Sequence, residues 1–139
     1  MNNLIYLNKI DNYKFECFKE AGEKIIVDAT LTYGGEGLKY SPLDLMLFSL
    51  GSCTGVTISK FYPFKDLSIK ISSEMESYKA TSIFKHIELT LETKEKISKS
   101  KLDQLIGVSL RTCPVHAMFE TFCAIKIVFI SNNKEYIYE

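Results

Sequence analysis

Ser41–Phe61 reads SPLDLMLFSLGSCTGVTISKF, and this stretch decides the fold. It reads as one helix. Ser41 is placed to cap the N-terminus, and Pro42 suits the first helical position, where its missing N–H costs nothing. Asp44 stands three residues after the cap, as the acidic partner of a capping box. Leu43 to Leu50 is apolar almost all round, the pattern of a helix buried on most sides. A run of small residues follows, Gly51, Ser52, Thr54 and Gly55, with Cys53 inside it. Small side chains let other backbone approach the thiol. Ser49, Leu50, Val56 and Thr57 share its helical face, so Cys53 lies on a mainly apolar surface with little bulk beside it. On the helix alone this describes a small core residue as well as a reactive one, since free cysteine is among the most buried residue types.

Toward the N-terminus, Leu4, Tyr6 and Ile10 alternate with polar residues, and Asp11-Asn12 makes a turn. Tyr13, Phe15 and Cys17 share one face of a second strand, where Cys17 reads as packing. Ile25, Val27, Ala29 and Leu31 line a third. The loop Tyr33–Tyr40, YGGEGLKY, lacks both the ending of a P-loop and the spacing of a dinucleotide fingerprint. It delivers the chain into the cap at Ser41, which can bring Lys39 near Cys53.

Toward the C-terminus, Tyr62-Pro63 ends the helix. Leu67, Ile69 and Ile71 alternate with polar residues. Ile83, Lys85, Ile87, Leu89 and Leu91 form one face of the next strand, with His86, Glu88, Thr90 and Glu92 on a solvated face. The two strands make a long hairpin. Lys94 to Lys101 is a charged connector, with Ser100 and Asp103 as a capping pair for a helix carrying Leu102, Leu105, Ile106, Ser109 and Leu110. Arg111-Thr112-Cys113-Pro114-Val115-His116 interrupts that helix and opens a short one to about Phe122. Cys123, Ile125, Ile127 and Phe129 form a face of a core strand, and Asn132-Asn133 turns into a last strand, Glu135 to Tyr138. The fold class is α+β: N-terminal antiparallel strands, a long buried central helix, an antiparallel strand pair, two helices and C-terminal strands. Residues 1–139 form one domain with antiparallel pairing rather than βαβ alternation.

Composition narrows the function. Seventeen basic and seventeen acidic residues give a net charge of zero, which argues against a nucleic-acid partner or an anionic membrane surface. No apolar run approaches the ~20 residues of a membrane span, and the N-terminus has no signal-peptide layout. A cytoplasmic protein is expected. Its four cysteines, Cys17, Cys53, Cys113 and Cys123, then read as reduced thiols rather than structural disulfides. Arg111 is the only arginine.

Pro114 at a first helical position places Cys113 at a helix cap. There its sulfur faces unpaired N–H groups and the positive end of the helix dipole, both of which favour thiolate. Arg111 and His116 lie close enough in sequence to add to this. The plainer reading is a thiol that only caps the helix. Cys113 and His116 also form half of a zinc motif, but no second pair completes four ligands, so no metal is expected.

SPLDLMLFSLGSC followed by RTCPVH resembles the OsmC-like family, which includes osmotically inducible protein C and the organic hydroperoxide resistance proteins. The likeness runs over nearly the whole chain, and is closer to a branch with Ser-Pro-x-acid-Leu before the first cysteine. The resemblance implies a thiol-dependent peroxidase, an intertwined homodimer with two sites at the subunit interface, and no cofactor. It makes Cys53 the attacking thiol, oxidised by hydrogen peroxide or an organic hydroperoxide to a sulfenic acid. Cys113 resolves it as a disulfide that an external dithiol reductant resets. Peroxidases of this family set an N-terminal arginine against the thiol and orient it with a glutamate. Here no arginine precedes Arg111, and Leu43 holds the glutamate's position, with Asp44 rotated from it by about 100°. Lys39 and Arg111 are the candidate replacement cations, with Asp44 and His116 in support. The alternative is a non-peroxidase protein of the same fold that binds a small apolar ligand or carries a thiol.

Overall fold

In the computed structural model, which describes residues 4–139, three antiparallel strands come first: β1 (Tyr6–Asp11), β2 (Lys14–Phe18) and β3 (Ile25–Val27). Met1–Asn3, part of the N-terminus read above as lacking a signal layout, lie outside the described residues. The third strand stops well before Leu31. Asp28, only 2% exposed, turns the chain there: its carboxylate accepts the N–H groups of Ala29 (2.8 Å) and Glu36 (3.0 Å). A short 3-10 turn, Leu31–Tyr33, follows. Gly35 then passes so close to the Ala29 carbonyl that a Cβ would stand 1.7 Å from its oxygen.

The long helix, α1, spans Pro42–Ser59. Its capping box is reciprocal: Asp44 N–H donates to Ser41 Oγ (3.2 Å), and Ser41 N–H donates to Asp44 Oδ2 (2.9 Å). Leu50, Gly51, Thr54, Thr57 and Ile58 are buried. Earlier in the helix Leu43, Met46 and Phe48 are exposed in the single chain, and from Leu50 onward Ser52, Val56 and Ser59 are exposed too, so the expected burial on most sides gives way to burial on one face. The chain divides into two compact units, Met1–Leu47 and Phe48–Glu139.

The second unit carries a four-stranded sheet in the order β4 (Ser68–Tyr78), β5 (Thr81–Thr93), β6 (Ala124–Ser131), β7 (Lys134–Tyr138). The outer pairs are antiparallel, and Asn132 and Asn133 both take positive φ in the turn between β6 and β7. The central pair, β5 with β6, is parallel, which corrects the expectation of antiparallel pairing throughout. A parallel pair needs a crossover, and the two helices supply it: α2 (Lys99–Thr112) and α3 (Pro114–Phe119).

Two local readings also change. The partners of β4 jump from His86 to Phe84 between Glu74 and Met75, so Lys85 is an extra residue and the alternation shifts phase. Phe84 is therefore buried where Lys85 was expected, and His86 is half-buried rather than solvated. The cap of α2 is Ser98, whose Oγ accepts Lys101 N–H (3.2 Å), not Ser100. Asp103 instead binds Lys99 Nζ (2.8 Å) and accepts the Tyr138 hydroxyl (2.7 Å). The core of this unit joins Ile87, Leu89 and Leu91 of β5, Leu102, Leu105 and Ile106 of α2, Ile127 and Phe129 of β6, and Leu50 and Ile58 of α1.

Candidate functional site

Cys53 lies in the second half of α1, where the Thr54 and Thr57 hydroxyls bond back to the carbonyls of Leu50 (2.9 Å) and Cys53 (2.7 Å). The small residues around it are read in the sequence as letting other backbone approach the thiol. The two glycines, Gly51 and Gly55, make their close approach to the sheet. A Cβ on Gly51 would stand 2.6 Å from Ile71 Cδ1, and one on Gly55 would stand 3.1 Å from Ile69 Cδ1. Their missing side chains let α1 lie close on β4.

Cys113 ends one helix and begins the next. Its N–H donates to Ser109 O (2.9 Å) at the end of α2. Its Sγ accepts His116 N–H (3.4 Å) as the N-cap of α3, with Pro114 at the first helical position. The two sulfurs meet: Cys113 Sγ donates to Cys53 Sγ across 2.8 Å, and both thiols are free. A disulfide bond is about 2.05 Å long, so a movement of less than about 1 Å would close one. Cys113 is 1% exposed, whereas Cys53 is half-buried.

Electrostatics overturn one expectation. The cap position was read as favouring the Cys113 thiolate. Burial instead pushes its pKa above the ordinary 9.0, and the hydrogen bond to Cys53 adds to this, while the N–H groups of His116 and Val115 pull down by less. Two amide dipoles do not repay the lost hydration of a sulfur this deep. His116 adds no positive charge, because its ring is 4% exposed and burial lowers its pKa below 6.5, against a smaller upward pull from Glu120.

The other supporting residues have these places. Arg111 folds back along α2, with Nη1 3.3 Å from the point where a Gly107 Cβ would stand, one turn away from the Cys113 end. Asp44 is committed to the cap of α1. Lys39 is exposed in the loop of the first unit. Cys17 is half-buried in β2, and Cys123 is buried just before β6. Among the described residues no group of three His, Cys, Asp or Glu side chains gathers as a metal site would require. Asp28 was missed in the sequence. Its one signal was an acid in an otherwise apolar strand just before a glycine-rich loop.

Two free thiols in contact, one on a long helix and the other at a helix–Cys-Pro–helix junction of an α+β scaffold, define a class of dithiol proteins. The model for the OsmC-like protein family matches residues 34–128, and the chain belongs to that family. Solved structures share the fold. A Psychrobacter arcticus protein provisionally named for osmotic stress induction and detoxification response aligns with a TM-score of 0.82 at 16% identity, covering 93% of this chain and 96% of its own. A hypothetical protein of Aquifex aeolicus gives 0.77 at 23% identity, over 94% and 96%. A Legionella pneumophila protein named as an organic hydroperoxide resistance protein gives 0.72 at 14% identity, over 93% and 96%. No curated protein matches the sequence.

Proposed function

We propose that the protein is a thiol-dependent peroxidase acting on hydrogen peroxide or organic hydroperoxides. The observation that carries this reading is the 2.8 Å contact between Cys53 and Cys113. The Cys53 thiolate attacks the outer peroxide oxygen, the O–O bond breaks, and the departing alkoxide or hydroxide takes up the proton that the thiol released, leaving as alcohol or water. The Cys53 sulfenic acid then meets the Cys113 thiol. A disulfide forms, and the sulfenic hydroxyl departs with the Cys113 proton as water. An external dithiol returns both residues to thiols by exchange. Access supports this order, because Cys53 is the member of the pair that solvent reaches. The organic hydroperoxide resistance name of the Legionella relative supports the substrate class.

A second reading has its own support. Arg111 lies over Gly107, and the Cys113 thiol is raised rather than acidified. A dithiol site whose buried thiol is not acidified suits a protein that binds a ligand or carries a thiol. Stopped-flow loss of free thiol after peroxide addition separates the two. Fast loss abolished by Cys53→Ser supports the peroxidase. Loss no faster than at Cys17 and Cys123 supports the second reading.

The protein acts as a homodimer. Leu4, Leu7, Tyr13, Leu31, Tyr33 and Leu38 are each more than half exposed in the single chain, more apolar surface than an isolated small sheet leaves to water. Sedimentation velocity tests this. Four free cysteines suit a reducing compartment, the cytoplasm. No helix is long and apolar enough to cross a membrane.

A further inference from the structure

His116 is the buried titratable residue for which the thiol chemistry has no task. Its backbone N–H is already engaged, since it is the donor that holds Cys113 Sγ at the head of α3. Its ring is 4% exposed and borders a cleft of about 180 Å³. Leu110 of α2 and Ile125 and Ile127 of β6 line that cleft, with Glu120 after α3 and Tyr138 and Glu139 at the end of β7. The acidic and phenolic groups divide unequally. Tyr138 gives its hydroxyl to Asp103. Glu120 Oε2 lies 3.5 Å from His116 Nε2, at the solvent edge. Nδ1 is buried with no hydrogen-bond partner.

This arrangement suits a neutral ring with its proton on Nε2, toward Glu120. Nδ1 then carries only a lone pair, which a buried site tolerates more readily than an unpaired N–H. A second proton must go to Nδ1, where no acceptor waits. The strain is relieved when the ring leaves its slot. The first turn of α3 moves with it and withdraws the N–H from the sulfur of Cys113.

We propose that His116 is the positioning residue of Cys113, and that the charge state of its imidazole decides whether this thiol is held against Cys53. The proposal rests on the reading of Cys53 and Cys113 as a redox pair. Its logic is reciprocal. A seated, neutral ring pre-arranges the sulfurs and so favours the disulfide. The disulfide, by tying Cys113 to α1, in turn keeps the ring seated and harder to protonate. Linkage requires the two effects to be equal.

The chain has only two histidines, His86 and His116, so proton NMR follows both rings in the unaltered protein. The titration runs from pH 7.5 to 4.5 on the reduced form and on the form oxidised with diamide, which takes up the two thiol protons and two electrons. Mass mapping confirms the Cys53–Cys113 bond. The expected result is a His116 pKa lower in the oxidised form by about half a unit or more, with His86 on β5 unchanged. That shift equals about a threefold fall in the effective concentration of the thiol pair on acidification. Equilibration with glutathione at pH 7.0 and 5.5 reads the fall directly. His116→Gln should give the same equilibrium at both pH values. A disulfide that forms while His116 titrates identically in both states overturns this inference alone. Failure of the disulfide to form overturns the redox reading and this inference with it.

Discussion

Replacing Cys113 with valine removes a helix cap and a titrating group together, and pH separates the two losses. Valine accepts the extended backbone of this position (φ −77°, ψ 110°). It cannot accept the His116 N–H, so at pH 7 the variant should be about 1 kcal/mol less stable, the usual worth of an N-cap. At high pH the wild-type thiol works the other way. Its folded-state pKa is raised from 9.0, first by burial and then by the hydrogen bond to Cys53. Above that value the unfolded chain releases the proton while the folded chain keeps it. The folded state then binds more protons, and stability falls as pH rises. A full proton of difference is worth about 1.4 kcal/mol per pH unit, so the loss by pH 10 is at most about 1.4 kcal/mol. Valine does not titrate. Cys123 and Tyr138, also raised by burial, are common to both proteins and cancel. The two stability curves should therefore converge above pH 9. Urea titrations in half-unit steps from pH 7 to 10, with a phosphine reductant, measure this. A constant gap across that range would refute the reasoning, because Cys113 would then ionise as freely in the folded state as in the unfolded chain.

Three further outcomes are expected. Ser41→Ala and Asp44→Ala should each cost about 1 kcal/mol in chemical denaturation, and the double variant less than their sum, because the two side chains cap each other. Gly51→Ala should lower stability by about 0–2 kcal/mol, since overpacking against Ile71 outweighs the helix propensity gained. Gly55→Ala, with a looser contact at Ile69, should be neutral or stabilising, and thermal melts of the pair rank the two sites. On the acid side, burial holds the His116 pKa below 6.5, so the unfolded chain gains a proton first and stability falls as pH drops through 6.5. The slope is at most about 1.4 kcal/mol per pH unit and ends at the folded-state pKa. It should be absent in His116→Gln, as read from urea midpoints at pH 7, 6 and 5.

What the sequence made legible was chemistry settled within a few residues. The reciprocal bonds of Ser41 and Asp44, the first-turn position of Pro114 and the cap at Cys113 each depend on neighbours three residues apart or closer. The start of α2 was not legible, because Ser98 and Ser100 both precede the same apolar pattern. Asp103, the partner assigned to Ser100, is claimed by Lys99 and by Tyr138, which is distant in sequence. The parallel pairing of β5 and β6 left one usable trace. Ile127, Val128 and Phe129 are consecutive apolar residues, all buried, and such runs are typical of strands covered on both faces. The face of Phe84 was lost to a bulge that no local pattern announces. The acidity of Cys113 was misjudged for a physical reason. A cap is a local feature, whereas the burial that opposes it comes from the assembled unit.

For the proposed peroxidase, that burial also favours Cys53 as the sulfur that reacts first. Local reasoning favours Cys113, because a helix cap is where thiolates are stabilised. Yet the crossover that carries α2 and α3 from β5 to β6 sets their junction inside the unit, and Cys113 is left with 1% of its surface. A peroxide cannot reach a thiol that solvent does not reach, and a thiol raised by burial is poorly supplied with the attacking anion. Cys53 is only half-buried, and solvent reaches it. The resolving step makes the opposite demand. It needs a thiol held still, protected from competing oxidants and already in contact with its target. Cys113 meets these conditions through its contact with Cys53 and the His116 N–H. In the proposed reaction the division of labour between the two cysteines would thus follow from depth rather than from acidity.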